Sequence, residues 1–150
     1  MITFKTGDIF TSDAGYLVNP TNFQGPMGGG LARKFADRFR GLETEYRRVC
    51  ENKKFGLMVR TFDYFAVWRA PNGQRVICFP TMHLGEPSKL EYIKTGCEKL
   101  AKWLSSMPPE TSIAFPKLGC GIGGLDWSDV RTAIIEAFDN IDGLTVEVWE

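Results

Sequence analysis

The sequence predicts an α/β layer sandwich, with a mixed central sheet and helices on both faces. Apolar runs of strand length alternate with stretches of helical periodicity along the chain. Two glycine-rich stretches, NPTNFQGPMGGG at 19–30 and LGCGIGGLDW at 118–127, each follow an apolar run and lead into an amphipathic helix pattern. The 150 residues suit one domain, 1–150, long enough to bury a core without covalent staples.

Residues 2–5 (ITFK) and 15–19 (GYLVN) read as strands, the second entering the first glycine stretch. Leu31, Ala32, Phe35, Ala36 and Phe39 recur at helical spacing, Gly41 interrupts them, and 42–52 resume the pattern, which predicts two helices joined at Gly41. Residues 57–61 and 63–69 alternate or run apolar. PNG at 71–73 then turns the chain into RVICFP, a hairpin leading into a buried strand that ends at Pro80. Ser88 and Glu91 have capping-box spacing, and Leu90, Ile93, Cys97, Leu100, Ala101 and Leu104 trace one helical face behind them. SIAFP at 112–116 is a further buried strand. Asp126 or Ser128 caps a helix reaching Ala137 or Phe138, with Asp126 the favoured cap, and TVEVW at 145–149 closes the sheet.

Lys and Arg total 18 and Asp and Glu total 18, so no whole-molecule field steers the chain toward a polyanion, and an anionic ligand must be held by local dipoles. The cysteines Cys50, Cys78, Cys97 and Cys120 are widely spaced without a CxxC pair, which argues against a zinc site and a disulfide framework. The apolar runs are far shorter than the ~20 residues of a membrane span. The expectation is a cytoplasmic monomer, off the membrane, that needs neither metal nor cofactor.

Where a glycine loop enters a helix, free backbone N–H groups and the positive helix end meet at one spot, a setting for phosphate. Two such junctions in one short chain point to a ligand with two phosphates held between paired loops. Gly28, Gly29 and Gly30 lack Cβ atoms, so a ligand can lie directly on their backbone. Gly119, Gly121, Gly123 and Gly124 form a second such surface. It is not a Walker loop, because no Lys-Ser or Lys-Thr follows, and it stands too late in the chain for a dinucleotide fingerprint. Asp8, behind Gly7, either bonds its own turn backbone or accepts from an exocyclic amine such as that of adenine. Asn19 and Asn22 flank a proline turn, where asparagine is common for local reasons; alternatively, Asn22 reaches sugar hydroxyls. Cys120 is a small thiol with no histidine near it in sequence.

GDIF at 7–10, LVNPTN with GPMGGGLARKF, FPT at 79–81 and FPKLGCGIGGLDW at 115–127 resemble, in order and spacing, the macrodomain family, whose fold is a three-layer α/β/α sandwich binding ADP-ribose. The chain is similar to the branch holding DNA ADP-ribosyl glycohydrolase antitoxins and the terminal ADP-ribose glycohydrolase of animals. It is also similar to the yeast-type ADP-ribose 1″-phosphate phosphatases. The resemblance implies that Asp8 receives the adenine amine and Ile9 offers its N–H to the ring. Asn22 with Gly28, Gly29, Gly30 and Leu31 would hold the distal ribose, and Asn19, Thr81 and Met82 would also bind the ligand. Leu118, Gly119, Cys120, Gly121, Ile122, Gly123 and Gly124 would wrap the pyrophosphate. It also implies hydrolysis of an ADP-ribose derivative, by removing ADP-ribose from a nucleic acid or protein or the phosphate from ADP-ribose 1″-phosphate.

Two departures bear on mechanism. The acidic residue that follows the glycines in one hydrolase branch is Ala32 here, and the lysine that follows Phe-Pro-Thr in the antitoxin branch is Met82. Lys117 is a possible substitute. His83, the chain's one histidine, directly follows Met82 and, with Asn22, is the candidate catalytic residue. The alternative is a non-catalytic ADP-ribose reader.

Overall fold

The computed structural model describes residues 1–52, 59–62 and 64–150. Its strands are β1 (Ile2–Lys5), β2 (Tyr16–Asn22), β3 (Val59–Phe62), β4 (Phe65–Arg69), β5 (Arg75–Met82), β6 (Ser112–Phe115) and β7 (Thr145–Trp149). Its helices are α1 (Gly30–Arg38), α2 (Leu42–Asn52), α3 (Leu90–Leu104) and α4 (Trp127–Phe138). The strands form one seven-stranded sheet in the order β1-β7-β6-β2-β5-β4-β3. The five from β1 to β5 in this order run parallel, and β4 and β3 are antiparallel additions at one edge.

Side chains of consecutive strand residues point to opposite faces, and both faces here are covered, which explains the continuous apolar runs. Val18, Ile77, Phe79, Ile113 and Phe115 join one core beneath α3 and α4. Leu17, Val76, Cys78 and Ala114 join another beneath α1 and α2. The three-layer sandwich is therefore present. The two helices joined at Gly41 (φ +95°) and the hairpin through Gly73 (φ +90°) also stand as the sequence predicts.

The differences lie at element ends. β2 runs to Asn22 and β5 to Met82, past Pro20 and Pro80, because the fixed φ of proline suits extended backbone even though it gives no donor. α3 starts at Leu90 with Lys89 as N-cap and no side-chain cap, so Ser88 does not form the capping box; its side chain is buried elsewhere. Of the strand expected at 57–61, residues 57 and 58 lie outside the described residues.

β6, β2 and β5 are neighbours and parallel, so their carboxyl ends open at one edge. The segments leaving them are 23–29, 83–89 and 116–126. This is the crevice where ligands settle in parallel α/β sheets.

Candidate functional site between two glycine loops

A cavity of about 640 Å³ opens at that edge. Its floor is the strand ends Pro20, Thr21, Thr81 and Pro116. One wall is Gly28, Gly29, Gly30, Leu31 and Ala32, and the opposite wall is Gly119, Cys120, Gly121, Ile122 and Gly123. Asn22, Met82 and Leu84 also line it. The walls approach closely, with Ile122 Cδ1 lying 3.4 Å from where a Cβ on Gly30 would stand. Ile122 is also 79% exposed, so it bridges the loops at the surface, not in the core.

The first loop is held from behind by polar contacts. The Asn22 carboxamide donates to Pro26 O at 2.8 Å and accepts from the amides of Gln24 (3.0 Å) and Gly25 (2.7 Å). Gly25, at φ +116°, lies so close to α2 that an added Cβ would come within 2.7 Å of Arg47 Cα. Glu43 accepts from Met27 N at 2.6 Å. The buried Tyr46 hydroxyl donates to Asn22 O at 2.7 Å and accepts from Thr21 Oγ1 at 3.2 Å. Burial first, then the neighbouring Cys78 and Cys50 thiols, raises the Tyr46 phenol well above its ordinary value, so it stays a donor. The loop ends at Gly29, the N-cap of α1, which has no side-chain cap. The first α1 amide to bond backwards is that of Arg33, to Gly29 O. The amides of Gly30, Leu31 and Ala32 are thus the unmet donors of a helix N-terminus.

The second loop folds on itself and on Ser88. Leu125 N donates to Gly119 O at 2.9 Å, Gly124 N to Gly121 O at 3.2 Å, and Ser88 N to Gly123 O at 3.1 Å. Ser88 Oγ meets Thr81 Oγ1 at 3.2 Å. Among the described residues, the amides of Gly121, Ile122 and Gly123 donate to no protein acceptor. The helix behind this loop differs from α1, because Asp126 Oδ1 accepts from Ser128 N at 3.0 Å and caps α4 with the chain's own carboxylate. The sequence argument expected both helix ends to face the ligand. Only that of α1 is free of a side-chain cap.

Ionisable groups are sparse. Lys117 and Cys120 are on the wall, and no carboxylate or imidazole is, among the described residues. Burial raises the Cys120 thiol despite the opposing charge of Lys117, and Sγ donates to Leu118 O at 3.3 Å, so it stands as a thiol. Lys117 Nζ rests 5.8 Å over the Trp127 ring.

Six of the residues singled out by sequence lie off this wall. Asp8 accepts from Phe10 N at 2.9 Å and caps the 3-10 turn Ile9–Thr11, the local contact weighed as the alternative to an amine acceptor. Ile9 is buried in the core under α1. Asn19 is fully buried, with Nδ2 3.6 Å from Met27 Sδ and Oδ1 without a partner. Leu118 is fully buried in the opposite core. Gly124 stands beyond the wall. His83 is turned outward, stacked on Phe23 at 4.5 Å and 24°, with Gln24 Nε2 2.9 Å from its Nδ1. Asn22, the second catalytic candidate, reaches the cavity with its carboxamide engaged by the loop.

Sequence reasoning missed Ser88, Pro26, Leu84, Glu43 and Tyr46. Ser88 carries the capping-box spacing, a local pattern that hides its place against the second loop. Glu43 and Tyr46 sit on a helix whose register against the first loop no local pattern reveals.

The profile of the Macro domain family matches residues 18–134. The chain is 33% identical over 99% of its length to a DNA ADP-ribosyl glycohydrolase of Mycobacterium tuberculosis, of which it spans 42%. It is 25% identical to an ADP-ribose 1″-phosphate phosphatase of Lodderomyces elongisporus, covering 94% of both. Among solved structures, the macrodomain of Mycobacterium tuberculosis DarG superposes with a TM-score of 0.87 at 32% identity, covering 99% of this chain and 97% of that one. The macrodomain of Thermus aquaticus DarG gives 0.84 at 31% identity, covering 100% and 98%. With its glycine loops, its sheet order and its whole described length accounted for, the chain belongs to the Macro domain family.

Proposed function

We propose that this chain binds ADP-ribose in the cavity between its glycine loops and hydrolyses the bond that joins ADP-ribose to a nucleic acid. The observation that carries the reading is one cleft of about 640 Å³ bordered by the uncapped start of α1 and by the unmet amides of Gly121, Ile122 and Gly123. Such donors stabilise a diphosphate without a side-chain cation, and the volume suits a ligand of this size. The self-capped end of α4 makes α1 the stronger anion site. Chains named DNA ADP-ribosyl glycohydrolase match over 99% of this one, which favours a nucleic-acid conjugate. Asp8 keeps its second carboxylate oxygen for an adenine amine while the first holds Phe10 N.

Cleavage at the distal ribose passes through a cationic oxocarbenium-like state. A diphosphate held at the loops supplies opposing negative charge from the ligand itself, so the wall's lack of a carboxylate does not forbid the step. Water enters at the anomeric carbon, and the departing atom takes a proton. Lys117 is the ionisable amine on the wall and the group to test for that transfer.

A second reading, a non-catalytic reader of ADP-ribose, draws on the same bare wall: Met82 and Ala32 stand on it and neither titrates. The decisive experiment incubates the protein with an ADP-ribosylated oligonucleotide, an ADP-ribosylated protein and ADP-ribose 1″-phosphate, and measures ADP-ribose affinity by calorimetry. Turnover of the oligonucleotide, lost in Lys117→Ala, supports hydrolysis. Binding with no turnover of any substrate leaves the reader, and no binding ends both.

A further inference from the structure

Beneath the cleft lies a row of buried hydroxyls, Tyr46, Thr21, Thr81 and Ser88, whose protons can be counted. The Tyr46 hydroxyl donates to Asn22 O at 2.7 Å, so the Thr21 hydroxyl is the donor in its 3.2 Å contact with Tyr46. Those two protons are committed. Thr81 Oγ1 stands 3.4 Å from Thr21 O and 3.2 Å from Ser88 Oγ, and Thr81 and Ser88 both line the cavity. Their two protons can be arranged in two ways. Either Ser88 donates to Thr81 and Thr81 donates to Thr21 O, or Thr81 donates to Ser88 and the Ser88 proton is free for an outside acceptor. The second arrangement gives up only the contact at 3.4 Å, which is long for an O–H donor. Among the described residues, Ser88 Oγ has no hydrogen-bond partner besides Thr81 Oγ1.

What Ser88 adjoins gives that proton its use. A Cβ on Gly123 would overlap Ser88 Oγ, and Cβ and N hang from the same Cα, so the hydroxyl oxygen lies within about 5 Å of the Gly123 nitrogen. The Gly123 amide is one of the unmet donors of the second loop. A single acceptor about 3 Å from each can therefore bridge the two. Main-chain bonds fix the hydroxyl in this position, because Ser88 N holds Gly123 O at 3.1 Å and Lys89 N holds Thr81 O at 3.2 Å.

We propose that Ser88 is a side-chain donor to the ligand's diphosphate: its hydroxyl gives its proton to the phosphoryl oxygen that Gly123 N also meets, while Thr81 turns its own proton onto Ser88. The proposal rests on the ADP-ribose reading and adds one replaceable side chain to a loop whose other unmet donors are main-chain amides. Charge decides the acceptor. A hydroxyl forms a shorter and stronger bond to an anionic oxygen than to a neutral one, so a phosphoryl oxygen draws the proton away from Thr81 where a ribose hydroxyl offers no gain over it.

The test measures binding to wild type and Ser88→Ala by calorimetry, with ADP-ribose and with analogues in which one non-bridging phosphoryl oxygen is replaced by sulfur, a poor hydrogen-bond acceptor. Ser88→Ala is expected to weaken ADP-ribose by about tenfold. One analogue should bind wild type about tenfold more weakly than ADP-ribose does, and in Ser88→Ala that penalty should shrink, because no hydroxyl is left to distinguish oxygen from sulfur. The sulfur penalty is read within each protein, so a general loosening of the loop by the substitution would not move it. Unchanged affinity of Ser88→Ala for ADP-ribose, or the same sulfur penalty in both proteins for every analogue, overturns the proposal while the ADP-ribose reading stands. Failure of ADP-ribose itself to bind wild type overturns both.

Discussion

Ser88 occupies the space that a side chain at Gly123 would need. Its amide donates to Gly123 O at 3.1 Å, and its hydroxyl, set against Thr81 Oγ1 at 3.2 Å, stands where a Cβ on Gly123 would point. The start of α3 and the second glycine loop are thereby locked together by one short residue facing one bare backbone. The same hypothetical Cβ would also come within 2.6 Å of Gly119 O, which is main chain and cannot swing aside.

Gly123→Ala is therefore expected to shift the loop backbone, destabilising the fold by about 1–3 kcal/mol and abolishing measurable ADP-ribose binding. Gly121 has open space around its Cβ position and an ordinary φ, so Gly121→Ala should keep the melting temperature of wild type and lose only affinity. Thermal melting and calorimetry on the pair check this; equal melting losses in both would refute it.

Tyr46→Phe removes the hydroxyl that meets Asn22 O at 2.7 Å and Thr21 Oγ1 at 3.2 Å. Two buried polar groups lose their partner, so a cost of about 1–3 kcal/mol in chemical denaturation is expected. Because this contact holds the start of the first loop, ADP-ribose should also bind more weakly, although Tyr46 is not on the cavity wall. Unchanged affinity would show that the loop holds its shape without it.

Asp126→Ala strips the N-cap of α4 and should cost about 1 kcal/mol of stability. Affinity for ADP-ribose should stay within about twofold, because this helix end serves the chain's own carboxylate and not the ligand. A large gain or loss of affinity would mean that the α4 end does reach the ligand.

Glu147 ties β7 to its surroundings, accepting from Ser12 Oγ and Trp149 Nε1 and pairing with Lys5 at 3.2 Å. Burial alone would raise its carboxyl, but these donors outweigh it and the net shift is downward. A carboxyl lowered in the folded state adds stability that is present above its unfolded value and lost as pH falls through the folded one. Denaturation of Glu147→Gln and wild type should thus show wild type more stable at neutral pH, with the gap closing as the solution is taken below the ordinary carboxylate range. A gap that does not depend on pH would remove the charge from the account.

Much of the fold was legible because both sheet faces are buried and the helices are amphipathic, so apolar residues mark nearly every element. The hairpin at Asn72–Gly73 and the Gly41 break carried their own local signals. Ser88 misled because a capping box is a local pattern, and its serine was drawn off by Thr81 at the end of β5 and by Gly123, which is distant in the chain. Asn19 and Asn22, three residues apart in one strand, looked alike. The pleat and the bulge after Thr21 sent Asn19 into the core and left Asn22 at the cleft. His83 drew notice as a rare residue type, but its surroundings of Phe23, Gln24 and Tyr92 come from two other segments, the loop after β2 and the first turn of α3.

The sequence alone determined the layered α/β class, the two glycine loops and their order, because spacing of apolar residues and the freedom of glycine act within a few neighbours. Tertiary structure decided that β6, β2 and β5 lie side by side, so that the loops face each other across one cleft, that α1 presents its bare helix end while α4 caps itself, and that His83 leaves the cleft for an aromatic stack. Those outcomes depend on strand order and register, which are set by the packing of the whole sheet and are written in no single segment.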